Sequence, residues 1–238
     1  MTGRMTRGKR IVPNHVGFIV DGNRRWARER GLPTLEGHKR GFEVLKEIVD
    51  ECGKQGIGYV TAYVFSTENW SRSKKEVDYL MRLFETMFDK YIREVHEKGV
   101  RVCFLGNRTM NVSAKLVKLI EEAEEITRDN KKGTLSFCFN YGGTLEIAEA
   151  MAKIVRAGVA PEDITPELIE ENLYHPEIPP VDFMIRTSGE QRISNFMLWR
   201  MAYAEMLFLD KKWPDMERED VAKIINNFSN RQRRFGGN

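Results

Sequence analysis

The sequence predicts a single α/β domain built on a mainly parallel six-stranded sheet flanked by helices. Two patterns carry that expectation. Short, near-continuously apolar runs occupy residues 16–20, 59–65, 100–105, 134–139, 182–185 and 206–209, as expected of strands buried on both faces. Between them apolar residues recur every three or four positions, at Phe42, Leu45, Ile48, Val49 and Cys52, and again at Val77, Leu80, Met81, Phe84, Phe88, Tyr91 and Val95. Strand alternating with helix calls for crossover connections, because parallel neighbours cannot be joined by tight hairpins.

The 238 residues suit one domain, and no repeat, low-complexity stretch or linker divides them. Residues 1–12 are expected to form a loose basic N-terminus and residues 13–238 the folded domain. A net charge of +3 is too mild for a nucleic-acid binder. Cys52, Cys103 and Cys138 lie apart in apolar stretches without metal-ligand spacing and read as buried, reduced core residues. The basic run at residues 6–10 is followed by no apolar signal core, and no stretch approaches the roughly 18 apolar residues of a spanning helix, so a cytoplasmic protein is expected.

Ligands of open parallel sheets gather beyond the carboxyl ends of the strands. After the first apolar run comes Asp21-Gly22-Asn23-Arg24-Arg25-Trp26, and after the second Ser66-Thr67-Glu68-Asn69-Trp70-Ser71-Arg72. After the fifth comes Arg186-Thr187-Ser188-Gly189-Glu190-Gln191-Arg192-Ile193-Ser194-Asn195, and Glu205 stands beside the sixth. Guanidinium forks bind phosphate oxygens, serine and backbone N–H groups fill further acceptors, and a carboxylate holds Mg²⁺ while the ligand supplies more oxygens. The mixture points to diphosphate chemistry. The GxxxxGK[ST] phosphate loop and a strand-linked GxGxxG are both missing, Gly142-Gly143 reads as a tight turn, and Ser66 and Ser194 lack the setting of an activated nucleophile.

At these same residues the chain closely resembles the cis-prenyltransferases, whose bacterial members include undecaprenyl diphosphate synthase. The resemblance runs from about Pro13 to Gly237, through Gly37-His38, Phe65-Ser66-Thr67-Glu68-Asn69-Trp70, Asn140-Tyr141-Gly142-Gly143 and Arg186-Thr187-Ser188-Gly189-Glu190. It continues through Arg192-Ile193-Ser194-Asn195-Phe196, Tyr203-Ala204-Glu205 and Arg233-Arg234-Phe235-Gly236-Gly237. The DDxxD motif of the all-helical trans-prenyltransferases is absent.

The resemblance implies an undecaprenyl diphosphate synthase-like homodimer that uses Mg²⁺ to add isopentenyl diphosphate units to an allylic diphosphate, farnesyl diphosphate being the expected starter. The implied product is a long polyprenyl diphosphate such as undecaprenyl diphosphate, with short- or medium-chain synthesis as the alternative. Asp21 is implied as the essential aspartate and a metal ligand, Glu205 as a second metal ligand from the partner side, and Asn69 as an aid to proton removal. Gly22, Asn23, Arg24 and Arg25 with His38 would grip the allylic diphosphate, and Arg186, Arg192, Ile193 and Ser194 the isopentenyl diphosphate. Ser66, Thr67, Glu68 and Arg72 would flank Asn69, with Trp26 and Trp70 as walls for the prenyl groups. Arg234 and Gly236 would reach the active site of the dimer mate.

An apolar tunnel for the growing chain is expected between the helix of residues 77–95 and Val44, Leu45 and Ile48, with peripheral membrane contact for product release. Four positions depart from the commonest pattern: Arg24, Thr34, Ser73 and Gln191; an arginine missing at Thr34 would cost one diphosphate contact. A noncatalytic partner subunit of a prenyltransferase would have lost Asp21, Asn69, Arg186, Arg192 or Glu205, and all five are present. An RNA-binding reading of Arg231, Arg233 and Arg234 lacks the aromatic residues on strands that stack bases.

Overall fold

A computed structural model of the protein describes residues 10–231. Six strands form one sheet: β1 His15–Ile19, β2 Tyr59–Ser66, β3 Arg101–Leu105, β4 Thr134–Tyr141, β5 Phe183–Arg186 and β6 Glu205–Phe208. Every pairing is parallel, in the order β3-β4-β2-β1-β5-β6. Seven α-helices lie among the described residues: α1 Asn23–Glu29, α2 Thr34–Lys54, α3 Lys74–Glu97, α4 Ala114–Thr127, α5 Gly143–Arg156, α6 Pro166–Asn172 and α7 Arg218–Ser229. Each expected apolar run is a strand, displaced by at most two residues at either end.

Side chains alternate across the sheet, and the two faces are unequal. Val16, Phe18, Leu135, Phe137, Phe139, Phe183 and Ile185 join the larger core beneath α2, α3, α4 and α7. Ile19, Tyr63, Cys138, Tyr141 and Met184 face a smaller one with Phe196, Met197 and Met201. The three cysteines are buried and free, as expected. Ser73 acts as the N-cap of α3, its hydroxyl accepting from Glu76 N at 3.4 Å, so this departure from the family pattern serves the helix start.

Part of the expected loose N-terminus falls within the described residues. Arg10 donates to Gln55 Oε1 at 3.0 Å, Ile11 N donates to Ser229 Oγ at 3.0 Å, and Val12 packs on the larger core. Residues 1–9 and 232–238 lie outside the described residues, and with them Arg234 and Gly236.

Candidate active site

The loops after β1, β2 and β5 enclose a cleft of about 890 Å³. Its floor is set by close backbone approach. Gly22 has φ +104°, and a Cβ there would lie 2.8 Å from Ser188 Oγ, so the turn after β1 accepts only glycine without displacing the loop after β5. Gly37 and Gly41 play a matching part on α2: added Cβ atoms would lie 2.0 Å from Asn23 O and 2.1 Å from Asn23 Oδ1. The Gly37-His38 block thereby seats the start of α1 against α2 and puts His38 on the cleft wall.

Asp21 and Arg186 form the centre. Arg186 Nη2 donates to Asp21 Oδ2 at 2.9 Å, while Nη1 donates to Arg192 O at 2.5 Å and to Ser194 Oγ at 2.8 Å. Asp21 Oδ1 accepts from Gly22 N at 2.7 Å. Arg25 lies 3.6 Å from Asp21 and donates to Glu190 Oε1 at 3.1 Å; the other oxygen of Glu190 pairs with Arg192. These contacts with the two arginines, Arg192 first, hold the Glu190 carboxyl below its ordinary pKa.

On the β2 side, the 3-10 turn Thr67–Ser71 is closed by a reciprocal cap: Ser66 accepts from the Asn69 backbone, and Asn69 Oδ1 accepts from Ser66 N at 3.1 Å. Burial alone would raise the pKa of Glu68, but hydrogen bonds from its own backbone, Ser66, Asn195 and Thr67 hold it below the usual value. Glu76 of α3 gathers His38 Nε2 at 3.3 Å, Arg72 at 3.2 Å and Arg24 at 3.8 Å. Burial, and after it the charge of Arg72, lowers the His38 pKa to about 4, so at neutral pH the ring is uncharged.

Gly22, Asn23, Arg24, Arg25, His38, Ser66, Glu68, Asn69, Arg72, Arg186, Arg192 and Ser194 all line the cleft with Asp21. Five expected residues stand off it. Trp26 donates Nε1–H to Asp215 at 2.6 Å and lies beneath Arg30, whereas Trp70 donates to Asn140 Oδ1 at 2.7 Å and packs edge-on against Phe65. Thr67 abuts Gly142, and Ile193 packs on the smaller core.

Glu205 begins β6, level with Phe183 and Val16, at the opposite end of the sheet from Asp21. At about 3.3 Å per residue the five positions from Val16 to Asp21 put the two carboxylates more than roughly 15 Å apart in one chain. Glu205 pairs instead with Arg231 at 2.6 Å.

The structure adds Arg28, Tyr63, Glu190 and Asn195 to the lining. Glu190 and Asn195 lie inside the polar segment after β5, but nothing local distinguishes them there from solvated loop residues. Gly142-Gly143 is no tight turn: it is the start of α5, where a Cβ at Gly142 would lie 2.9 Å from Asn195 Nδ2 and one at Gly143 2.7 Å from Leu198 Cγ.

A narrow apolar recess of about 50 Å³ opens between α2 and α3 and shares Val20, Asn23, His38, Val64 and Leu80 with the cleft. Leu45 and Phe84 line it as expected for tunnel walls. Val44 and Ile48 are packed into the core, 1% and 0% exposed.

Four buried side-chain atoms among the described residues lack a hydrogen-bond partner, and three of them, Asn23 Oδ1, Arg186 Nε and Ser188 Oγ, belong to residues on or beside the cleft. Buried polar groups left unpaired in this way call for ligand or solvent partners. The Asp21 carboxylate, which borders the open cleft, also fits Mg²⁺, which is commonly held by one or two carboxylates plus substrate phosphates. A second cluster, Cys103, His175 and Glu177, lies elsewhere. Its donors are already engaged: His175 bonds Glu124 at 2.9 Å and Glu177 at 3.1 Å, and those carboxylates pair with Arg108 and Arg101.

Residues 19–236 match the prenyltransferase family model described as undecaprenyl diphosphate synthase. The chain is 45% identical over 233 residues, 96% of its length and 82% of the relative's, to the trans,polycis-polyprenyl diphosphate synthase ((2Z,6E)-farnesyl diphosphate specific) of Thermobifida fusca. It is 45% identical over 228 residues, 95% of its length and 97% of the relative's, to the isoprenyl transferase of Thermotoga maritima. The crystal structure of lavandulyl diphosphate synthase from Lavandula x intermedia, in complex with dimethylallyl diphosphate, superposes with a TM-score of 0.90 at 33% identity, covering 95% of this chain and 99% of that one.

Proposed function

Because this chain belongs to the cis-prenyltransferase family of undecaprenyl diphosphate synthases, we propose that it condenses isopentenyl diphosphate with an allylic diphosphate, farnesyl diphosphate being the starter, to build a long-chain polyprenyl diphosphate such as undecaprenyl diphosphate. The observation that carries this reading is the Asp21–Arg186 pair at 2.9 Å, set among unpaired buried donors and acceptors where β1 and β5 end. Arg186, Arg192 and Ser194 bind isopentenyl diphosphate. Gly22, Asn23, Arg24, Arg25 and His38 bind the allylic diphosphate, a class of ligand that the lavandulyl diphosphate synthase structure holds.

In the reaction the allylic C1–O bond breaks, C1 joins C4 of isopentenyl diphosphate, diphosphate departs, and a proton leaves C2 of the isopentenyl unit to an acceptor in the cleft. Preplaced guanidinium groups stabilise the charge on the departing diphosphate, which is electrostatic catalysis without a covalent enzyme intermediate. Asn69 orients the isopentenyl unit for proton loss, since an amide is a poor base. Asp21 would hold Mg²⁺ together with the substrate, and the ion would supply Lewis-acid neutralisation of that charge.

The reading includes a homodimer, which would account for two observations. Glu205 stands far from Asp21 in its own chain, and it lies on edge strand β6 beside Tyr203, which is 75% exposed. A second copy would bring Glu205 toward the metal and Arg234 and Gly236 toward the diphosphate of its mate. No helix among the described residues is long and apolar enough to cross a membrane; a cytoplasmic enzyme that meets the membrane peripherally to unload its lipid fits the reading.

A second reading, a short- or medium-chain product, is favoured by the recess of only about 50 Å³. One experiment tests both. Purified protein is given Mg²⁺, labelled isopentenyl diphosphate and geranyl, farnesyl or geranylgeranyl diphosphate, and the products are sized by chromatography. Long products with the farnesyl starter support the first reading, extension that stops after one or a few units supports the second, and no incorporation overturns both.

A further inference from the structure

Asn195 occupies the point where the loop after β5, the turn Thr67–Ser71 and the start of α5 meet. Its backbone and that of Ser194 are both left-handed, at φ 63° and 48°, an uncommon and costly arrangement for two successive non-glycine residues. Several hydrogen bonds hold it. Asn195 O accepts from Gly143 N at 2.7 Å and its Oδ1 from Thr144 N at 2.8 Å, so one residue satisfies two free N–H groups at the start of α5. The same amide donates from Nδ2 to Thr144 Oγ1 and to Glu68 Oε1, each at 3.2 Å. The missing Cβ atoms of Gly142 and Gly143 permit the approach, which gives that glycine pair its reason.

The two ends of this bridge matter. On one side Ser194 Oγ accepts from Arg186, whose other terminal nitrogen holds Asp21. On the other, Glu68 precedes Asn69 in the turn Thr67–Ser71. The loop carrying Arg192 and Ser194 and the turn carrying Asn69 follow strands β5 and β2, which are not neighbours in the sheet; Tyr63 of β2 donates to Ser194 O at 3.3 Å, and Asn195 extends the tie to the turn itself.

We propose that Asn195 is a positioning residue: its Nδ2 bond to Glu68 sets the loop that grips isopentenyl diphosphate at a fixed spacing from the turn that carries Asn69. The inference rests on the proposed function. It concerns alignment, so kcat falls when the bridge is lost while the substrate contacts themselves stay in place.

Asn195→Asp separates the bridge from the helix cap. Aspartate keeps the oxygen that accepts from Thr144 N, but it presents an acceptor to Glu68 in place of a donor. In the native background the substitution is expected to lower kcat about ten- to a hundredfold, with the Michaelis constant for isopentenyl diphosphate moving less than about threefold. In a Glu68→Gln background, glutamine can donate to the new carboxylate, and the same Asn195→Asp step is expected to cost less than about threefold. Equal costs in both backgrounds, or no cost in either, would overturn the proposal. Hydrogen exchange across residues 67–71 reads the bridge without catalysis: protection should fall in Asn195→Asp and return in the double variant, and unchanged protection would also overturn it. A native chain that elongates none of the starters sinks the proposed function, while the exchange measurement still decides whether the bridge exists.

Discussion

Arg186 and Asp21 join the ends of β5 and β1 through a 2.9 Å ion pair in which the arginine is 4% exposed and the aspartate still borders the open cleft. The pair holds both residues ready: the aspartate keeps a face toward the cleft, and the arginine is anchored by Arg192 O and Ser194 Oγ on its other branch. Asp21→Ala and the more conservative Asp21→Asn are both expected to lower turnover by at least about a hundredfold with the far-ultraviolet spectrum unchanged. Near-normal activity in excess Mg²⁺ would remove Asp21 from the metal site.

Arg25 and Arg192 are clasped by opposite oxygens of one carboxylate, Glu190, although the proposed function gives them to different diphosphates. Arg192→Ala should raise the Michaelis constant for isopentenyl diphosphate more than that for the allylic substrate, by roughly ten- to a hundredfold, and Arg25→Ala should do the reverse. Glu190→Gln removes an internal anion that competes with both substrates, and both constants should fall, by less than about tenfold. Steady-state kinetics with each substrate varied in turn measures this. Identical effects of the two arginine variants on both substrates would collapse the division into two sites.

Behind the loop after β5, Arg200 and Glu146 form a pair at 2.8 Å with both side chains 1% exposed. Arg200 also donates to the carbonyls of Ile178, Tyr174 and His175, and Glu146 accepts from Tyr141 Oη at 2.5 Å. Arg200→Met strands a buried carboxylate and should cost about 3–5 kcal/mol in denaturant unfolding, whereas Arg200→Met with Glu146→Leu should recover part of that loss. A double variant no more stable than the single one would show that the pair is not the source.

Histidines push stability in opposite directions with pH. Burial lowers His15 from 6.5 to about 4, and the same factor dominates at His38. Between pH 6.5 and 4 the unfolded chain binds more protons at these sites, so their contribution is present above 6.5 and lost as the pH falls toward 4. His175 behaves oppositely. Burial alone would lower its pKa, but hydrogen bonds and charge from Cys103 and Glu124 push it up to about 10. Its contribution is complete below 6.5 and drains away as the pH rises toward 10. The urea midpoint should therefore fall on both sides of neutrality, and His175→Gln should flatten the alkaline limb alone. An unchanged alkaline limb would refute the assignment.

The candidate site was legible where chemistry and strand position coincide. Asp21 and Arg186 directly follow apolar runs, Asn69 and Arg192 lie in the polar segments after them, and in a parallel sheet all such ends point one way, so the residues converge. Trp26 and Trp70 stand off the cleft lining, since ring size and neighbours in sequence say nothing of where an indole N–H finds its acceptor, here Asp215 and Asn140. Glu205 lies next to an apolar run too, but at its beginning, which in a parallel sheet is the far end from Asp21.

By itself the sequence determined the six-stranded parallel architecture, the burial of the cysteines and the strand ends at which the candidate site gathers. Each of these follows from short-range pattern: the period of apolar residues and the polar groups that directly follow them. Tertiary structure alone decided that Glu190 clasps two arginines, that Glu205 pairs with Arg231, and that Asn195 meets Glu68 across 127 positions of sequence. Such contacts depend on how helices seat on the sheet and on where a missing Cβ lets two backbones close up. Close packing sets those relations over the whole chain, and no local run of residues encodes them.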